Sequence, residues 1–129
     1  MDDSYYYGEG GLRCEDVALS EIAESVGTPT YVYSHGALEK AYRELDEAFS
    51  DLDHMVCYAV KANSNLAVLR SLASFGAGAD IVSGGELYRA MRAGFDPKKV
   101  VFAGVGKTED ELMAGLGERI WLFIVESPY

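Results

Sequence analysis

The sequence predicts an α/β fold built on a parallel β-sheet. Apolar, β-branched and aromatic runs at about 55–60, 79–83, 100–104 and 120–125 indicate strands, and segments with helical periodicity separate them. Strand starts recur roughly every 20–25 residues, which is typical of a βα unit. The last run is nearly continuous in apolar residues, as buried parallel strands are. With Thr30–Tyr33 included, about five strands are expected, fewer than the eight of a closed (β/α)8 barrel.

Composition excludes several classes of protein. The 129 residues carry a net charge of -10, which argues against nucleic acid as a partner because phosphate binding needs a basic face. No apolar run approaches the roughly 20 residues of a membrane span, and the acidic N-terminus is unlike a signal peptide. Cys14 and Cys57 are too few and too far apart to indicate a disulfide scaffold or a zinc site. We therefore expect a cytoplasmic protein with reduced thiols.

The sequence predicts a lead-in over residues 1–29, followed by an α/β domain over residues 30–129 that has too few strands to be a closed barrel. Residues 1–16 indicate irregular structure with one short strand. The pattern of Val17–Val26 is that of a short amphipathic helix, which Gly27 ends. Ser34 is a suitable N-cap for the helix that follows Thr30–Tyr33.

Helices are expected after the next three strands, at about 65–75, 86–93 and 109–116. The Asn-Ser-Asn cluster that ends at Asn65 can turn the chain and cap the first of them. Thr108 and Glu111 have the spacing of a capping box at the start of the third.

One lysine stands out at the end of the strand predicted from residue 55. Alternation along that strand puts Lys61 on the same face as the small residues Ala59 and Cys57. A lysine above small side chains at the carboxyl end of a buried strand is well placed for chemistry in the mouth of a sheet or barrel. A solvated lysine just beyond the strand is the alternative, and position alone does not decide between them.

Several segments, taken in order, resemble the fold-type III pyridoxal-phosphate-dependent amino-acid decarboxylases. These are Tyr58-Ala-Val-Lys61-Ala-Asn63, Gly76-Ala-Gly-Ala-Asp80-Ile-Val-Ser83-Gly-Gly-Glu86-Leu87, Val101-Phe-Ala-Gly104-Val-Gly106-Lys107-Thr108 and Val125-Glu126-Ser127. The resemblance implies that the strands are the N-terminal part of a (β/α)8 barrel, and that the lead-in would join a separate β-domain. The wording of the second and third segments is nearest to the family members that act on meso-diaminopimelate.

The resemblance also implies the site. Lys61 would form a Schiff base with pyridoxal phosphate, and Asp80, Glu86 and Ser83 would line the cofactor site, with Ser83 and Asn63 the weaker candidates. Structural alternatives exist, because Asp80 can be a satisfied core acid and Glu86 a first-turn acid favoured by the helix dipole.

Other site types have little support in the sequence. Two histidines, His35 and His54, form no cluster that predicts a metal site. The Gly-Lys-Thr of Gly106–Thr108 is not a P-loop, because the glycine needed five residues earlier is replaced by Val101. Gly76-x-Gly78 likewise lacks the third glycine of a dinucleotide-binding turn, since Ile81 occupies that place.

The resemblance implies a lyase of lysine biosynthesis that decarboxylates meso-2,6-diaminopimelate to L-lysine, as a homodimer. Ornithine, arginine or lysine decarboxylases of the same fold are the nearest alternatives, followed by a non-catalytic cofactor-binding or structural fragment. We expect this chain to be the N-terminal portion of such an enzyme and to be inactive by itself. The phosphate loop, the partner of the pyridine nitrogen and the substrate-binding residues would then lie further along.

Overall fold

The computed structural model describes residues 4–127. Contacts divide the chain into two compact units, with the boundary between Ala41 and Tyr42. Within the described residues, no helix is both long and apolar enough to cross a bilayer.

The first unit contains a small antiparallel sheet and a helix. Its strands, in the order β1-β2-β3, are β1 (Tyr5–Gly8), β2 (Gly11–Cys14) and β3 (Val17–Ala18), followed by α1 (Leu19–Val26). The prediction of one short strand in residues 1–16 was wrong. Gly8 pairs with Gly11, so Glu9-Gly10 forms a two-residue hairpin turn in which Gly10 has a φ of 92°.

A second prediction in this unit was also wrong. Thr30–Tyr33 pairs with no strand in the part of the chain that the structure describes. Its aromatic and β-branched residues favour a strand, but a strand exists only where a neighbouring strand completes the ladder.

The cap predicted at Ser34 is confirmed, because Ser34 Oγ accepts a hydrogen bond from Ala37 N at 2.9 Å, just before α2 (His35–Ala48).

The second unit contains four parallel strands, each of the first three followed by a helix. The elements are β4 (Cys57–Ala59), α3 (Leu66–Phe75), β5 (Gly78–Ile81), α4 (Gly84–Ala93), β6 (Val100–Phe102), α5 (Glu109–Glu118) and β7 (Leu122–Phe123). The strand order β4-β5-β6-β7 follows the sequence without a reversal. A barrel winds in this way, whereas a doubly wound sheet reverses direction at a switch point. The α/β prediction is confirmed, with four strands in this sheet among the described residues.

The core lies between one face of this sheet and the helices. Residues of β5 and β6 that point to that face, and the helix residues that meet them, are almost fully buried: Ala79, Ile81, Val100, Phe102, Leu69, Leu87 and Ala90. The predicted caps are confirmed here too. Asn65 Oδ1 accepts from Ala67 N at 2.8 Å to begin α3, and Thr108 with Glu111 forms a capping box that begins α5.

The imidazole of His54 connects the end of α2 to the segment that leads into β4. Its Nδ1 lies 3.0 Å from the carbonyl oxygen of Leu52, and its Nε2 lies 3.2 Å from Oδ1 of Asp46. Both partners are acceptors, so only the doubly protonated ring can donate to both. The hydrogen bond to the Leu52 carbonyl, helped by the Asp46 carboxylate, raises the pKa of His54 above its ordinary value of 6.5.

This geometry predicts a pH-dependent contribution to stability. Because the pKa is raised on folding, the contribution is complete below about pH 6.5 and is lost as the pH rises through the folded-state pKa. We expect His54→Gln to lower the free energy of unfolding at about pH 6 and to have a smaller effect at about pH 9. Urea titrations at both values measure this, and Asp46→Asn should reproduce the trend. A loss that is equal at both pH values would contradict the prediction.

Candidate functional site at the carboxyl ends of the first two parallel strands

The predicted site residues lie at one edge of the parallel sheet. In the β4–β5 ladder Ala59 lies opposite Asp80, and Lys61 follows two residues after Ala59. Ser83, the N-cap of α4, and Glu86, in the first turn of that helix, lie at the same edge. Because parallel strands end on the same side of a sheet, all four predicted residues lie at or near that edge.

Lys61 lies beyond the strand, in a 3₁₀ turn over Val60–Ala62. The sequence-based alternation of side chains therefore stops at Ala59 and does not determine where Lys61 points, which corrects the predicted strand to residue 60. The turn contacts both β5 and α4. Lys61 is exposed, and within residues 4–127 its ammonium group has no hydrogen-bond or ion-pair partner. A primary amine without an internal partner is available to a ligand.

The segment after Lys61 is ordered by its own polar side chains. Asn63 Oδ1 accepts from Asn65 N at 2.9 Å, and the Asn63 carbonyl accepts from the Tyr58 hydroxyl at 3.4 Å. Arg89 Nη1 on α4 donates to the Ser64 carbonyl at 3.1 Å. Asn63 thus fixes the turn that presents Lys61, a role that accounts for it without a ligand.

Asp80 lies on the sheet face opposite the helices. Its neighbours Ala79 and Ile81 are buried in the core, so Asp80 points the other way, as do Gly78 and Cys57. Its Oδ1 is buried and accepts no hydrogen bond from any described residue. Burial, with the nearby Asp80 carboxylate adding to it, raises the pKa of the Cys57 thiol.

An orphaned carboxylate oxygen has a consequence for ligand binding. A buried acceptor without a donor costs about 1–3 kcal/mol, so a group that brings a donor to Asp80 is favoured there. Together, a free amine and an unsatisfied carboxylate at adjacent strand ends suit pyridoxal phosphate. With that cofactor bound, Lys61 would supply the amine that its aldehyde requires, and Asp80 would supply an acceptor.

Ser83 and Glu86 hold the turn between β5 and α4. Ser83 Oγ accepts from Glu86 N at 3.2 Å, and Glu86 Oε2 accepts from Val82 N at 2.7 Å. Both side chains therefore have the local structural role that a helix start favours. Within the described residues, no hydrogen bond or ion pair joins Lys61 to Asp80 or Glu86.

Sequence reasoning missed one contact at this edge. Glu111, recognised only as part of a capping box, also accepts a hydrogen bond from Gly84 N at 2.7 Å. The two residues are 27 positions apart, so no local pattern indicates the contact. In the segment where the sequence lacks a P-loop glycine, Lys107 Nζ donates to the carbonyl oxygens of Gly104 and Ile124, and Thr108 caps α5.

Comparisons with known proteins agree on one family. The family profile described as "Pyridoxal-dependent decarboxylase, pyridoxal binding domain" matches residues 35–129. The chain is 54% identical over 125 residues to diaminopimelate decarboxylase of Pseudomonas aeruginosa, covering 97% of this chain and 30% of the relative. It is 52% identical over 127 residues to the enzyme of the same name from Vibrio cholerae, covering 98% of this chain and 30% of the relative.

A solved structure gives the same result for the fold. The crystal structure of diaminopimelate decarboxylase from M. jannaschii in complex with L-lysine has a TM-score of 0.92 and 39% sequence identity to this chain. The match covers 98% of this chain and 30% of that one. The chain therefore spans about 30% of the length of the relatives that it matches.

Proposed function

The chain belongs to the family of pyridoxal-dependent decarboxylases through their pyridoxal-binding domain, and on that premise we propose that it forms the lysine-bearing part of a diaminopimelate decarboxylase. The complete gene product would convert meso-2,6-diaminopimelate into L-lysine and carbon dioxide with pyridoxal phosphate. The observation that carries this proposal is that an exposed amine without an internal partner, Lys61, and an orphaned carboxylate oxygen, Asp80 Oδ1, occur at the carboxyl ends of neighbouring strands. Identity of 54% to a relative named diaminopimelate decarboxylase supports the choice of substrate.

Each residue has a distinct part in this proposal. Bound pyridoxal phosphate supplies an electron sink for the carbanion that remains after a carboxylate leaves. Lys61 Nζ would hold the cofactor covalently and return a proton to the substrate carbon. Asp80 would accept a hydrogen bond at its buried Oδ1, and Ser83 and Glu86, which order the start of α4, would lie beside the cofactor.

Assembly is part of the same proposal. We propose that the complete gene product is a homodimer, which the family resemblance supports.

Ornithine, arginine or lysine would be the substrates of the alternative enzymes with this fold.

Substrate preference is the direct test of the proposal. We expect the purified complete gene product, supplied with pyridoxal phosphate, to favour meso-diaminopimelate over ornithine, arginine and lysine by at least about 100-fold in kcat/KM. The reason is that a site that hydrogen-bonds the second amino-acid centre of diaminopimelate leaves buried polar groups unpaired when a plain diamino acid binds. Carbon dioxide release from each amino acid measures this.

The outcomes separate the alternatives. Faster release from ornithine, arginine or lysine would assign the protein to a different substrate class of the same fold. Cofactor absorbance without release from any of the four amino acids would identify a non-catalytic binding protein.

A further inference from the structure

A single carboxylate connects two turns at the carboxyl edge of the sheet. Glu111 Oε2 accepts from Thr108 N at 3.0 Å and from Thr108 Oγ1 at 3.1 Å, which caps α5. The other oxygen, Oε1, accepts from Gly84 N at 2.7 Å. Gly84 is the first residue of α4, where the backbone N–H has no partner within its own helix. Glu111 thus satisfies donors at the starts of two successive helices.

The turn that Glu111 reaches is the one with the predicted site residues. Gly84 lies between Ser83, which caps α4, and Glu86, which holds Val82 N. A Cβ atom at Gly84 would lie 3.1 Å from Cγ of Glu111, so the glycine permits this close approach. The pKa of the Glu111 carboxyl is lowered because Thr108 N and Gly84 N donate to it. A hydrogen bond to an ionised carboxylate is roughly twice as strong as one between neutral groups.

We propose that Glu111 is a positioning residue for the cofactor site and acts through Gly84 N to fix the Ser83–Glu86 turn. This inference rests on the proposed function and adds a residue that contacts neither cofactor nor substrate. The turn contains two consecutive glycines, Gly84 and Gly85, which have more backbone freedom than other residues. The bond from Gly84 N to Glu111 adds a tether from α5 to the bonds that Ser83 and Glu86 already make, and so restricts where both residues lie relative to Lys61.

A simpler role for Glu111 makes a different prediction. If Glu111 only caps α5, then Thr108→Ala, which removes the hydroxyl of the same capping box, should have the same consequences as Glu111→Ala. Thr108→Ala leaves the carboxylate and its bond to Gly84 N in place. Asp110→Ala is a matched control for charge, since Asp110 is the exposed neighbour of Glu111 and has no hydrogen bond to another described side chain.

The experiment compares the three variants in the complete gene product. Amide hydrogen exchange of the peptide covering residues 82–87, measured without cofactor, reports the tether directly. We expect Glu111→Ala to speed that exchange by about 10-fold or more, with Thr108→Ala and Asp110→Ala close to wild type. With cofactor added, Glu111→Ala should lower kcat for the preferred amino acid by on the order of 10-fold or more, and the other two variants should stay within about twofold.

The exchange and activity results distinguish the possible failures. Unchanged exchange over residues 82–87 in Glu111→Ala, or equal losses of kcat in Glu111→Ala and Thr108→Ala, would overturn the positioning role. A wild-type protein without decarboxylase activity would overturn the proposed function, and with it the catalytic purpose of the tether. The exchange measurement would still decide whether Glu111 holds the turn.

Discussion

Replacing Lys61 with alanine is expected to abolish covalent attachment of the cofactor and to lower decarboxylase turnover by at least about 10³-fold. The structure supports this expectation because the Lys61 amine is exposed at the carboxyl edge of the sheet and has no competing partner within residues 4–127. Borohydride makes the bond between the amine and the cofactor's aldehyde permanent. Mass spectrometry of the reduced wild-type protein should therefore find the pyridoxyl group on the peptide that contains Lys61.

Two other lysines serve as controls for that result. Lys98 lies before β6, at the opposite edge of the sheet, and Lys98→Ala should leave labelling and turnover unchanged. Lys107 is engaged with the carbonyl oxygens of Gly104 and Ile124, so it should not carry the label. Labelling of Lys107 in wild-type protein, or full labelling of Lys61→Ala, would contradict the role given to Lys61.

Features that depend on neighbouring residues in the sequence were predicted well. The caps at Ser34, Asn65 and Thr108 follow from side chains that bond to the backbone two or three residues ahead. The three βα repeats and the fourth strand follow from apolar periodicity, which local segments carry by themselves. Such features need no knowledge of which strand lies beside which.

Features that depend on distant residues were not predicted. Thr30–Tyr33 has the composition of a strand but no ladder partner among the described residues, and composition alone cannot supply one. The strand before Lys61 ends at Ala59 although the apolar run continues to Val60, which is buried in the following turn instead. The bond from Gly84 to Glu111 spans 27 residues and exists only because α4 and α5 begin at the same edge.

The site shows the same division between local and distant information. A carboxylate inside a strand is unusual and can be noticed in the sequence. In the structure, this carboxylate is Asp80, and its buried Oδ1 accepts no hydrogen bond from a described residue. Glu86 looked equally distinctive, yet its side chain bonds to Val82 N four residues away. The hydrogen bonds in the structure are therefore needed to distinguish Asp80, which has an unsatisfied oxygen, from Glu86, which already has a partner.

Gly78→Ala is expected to destabilise the fold by about 3 kcal/mol. Gly78 begins β5, and a Cβ atom there would lie 2.4 Å from the Lys99 carbonyl oxygen and 2.7 Å from Cys57 Sγ. The Lys99 oxygen belongs to the backbone that leads into β6, so relief requires β5 and β6 to move apart. A loss of this size is a large part of the roughly 5–15 kcal/mol by which a domain is normally stable. Urea titration measures it.

A matched glycine should respond in the opposite direction. Gly117 is inside α5, and a Cβ atom there would meet nothing within 4 Å. Gly117→Ala should therefore raise the free energy of unfolding by about 0.5–1 kcal/mol, since alanine favours a helix over glycine.

The double variant Gly78→Ala with Cys57→Ala then identifies which contact is decisive. Removing Sγ relieves the 2.7 Å contact and leaves the 2.4 Å contact with the Lys99 carbonyl. Stability should recover little, because a backbone oxygen cannot rotate away as a side chain can. Asp80 lies two residues after Gly78 on the same face, so displacement of β5 should weaken cofactor binding in the single and double variants alike. Full recovery of stability in the double variant would show that the thiol, and not the strand spacing, makes glycine necessary at this position.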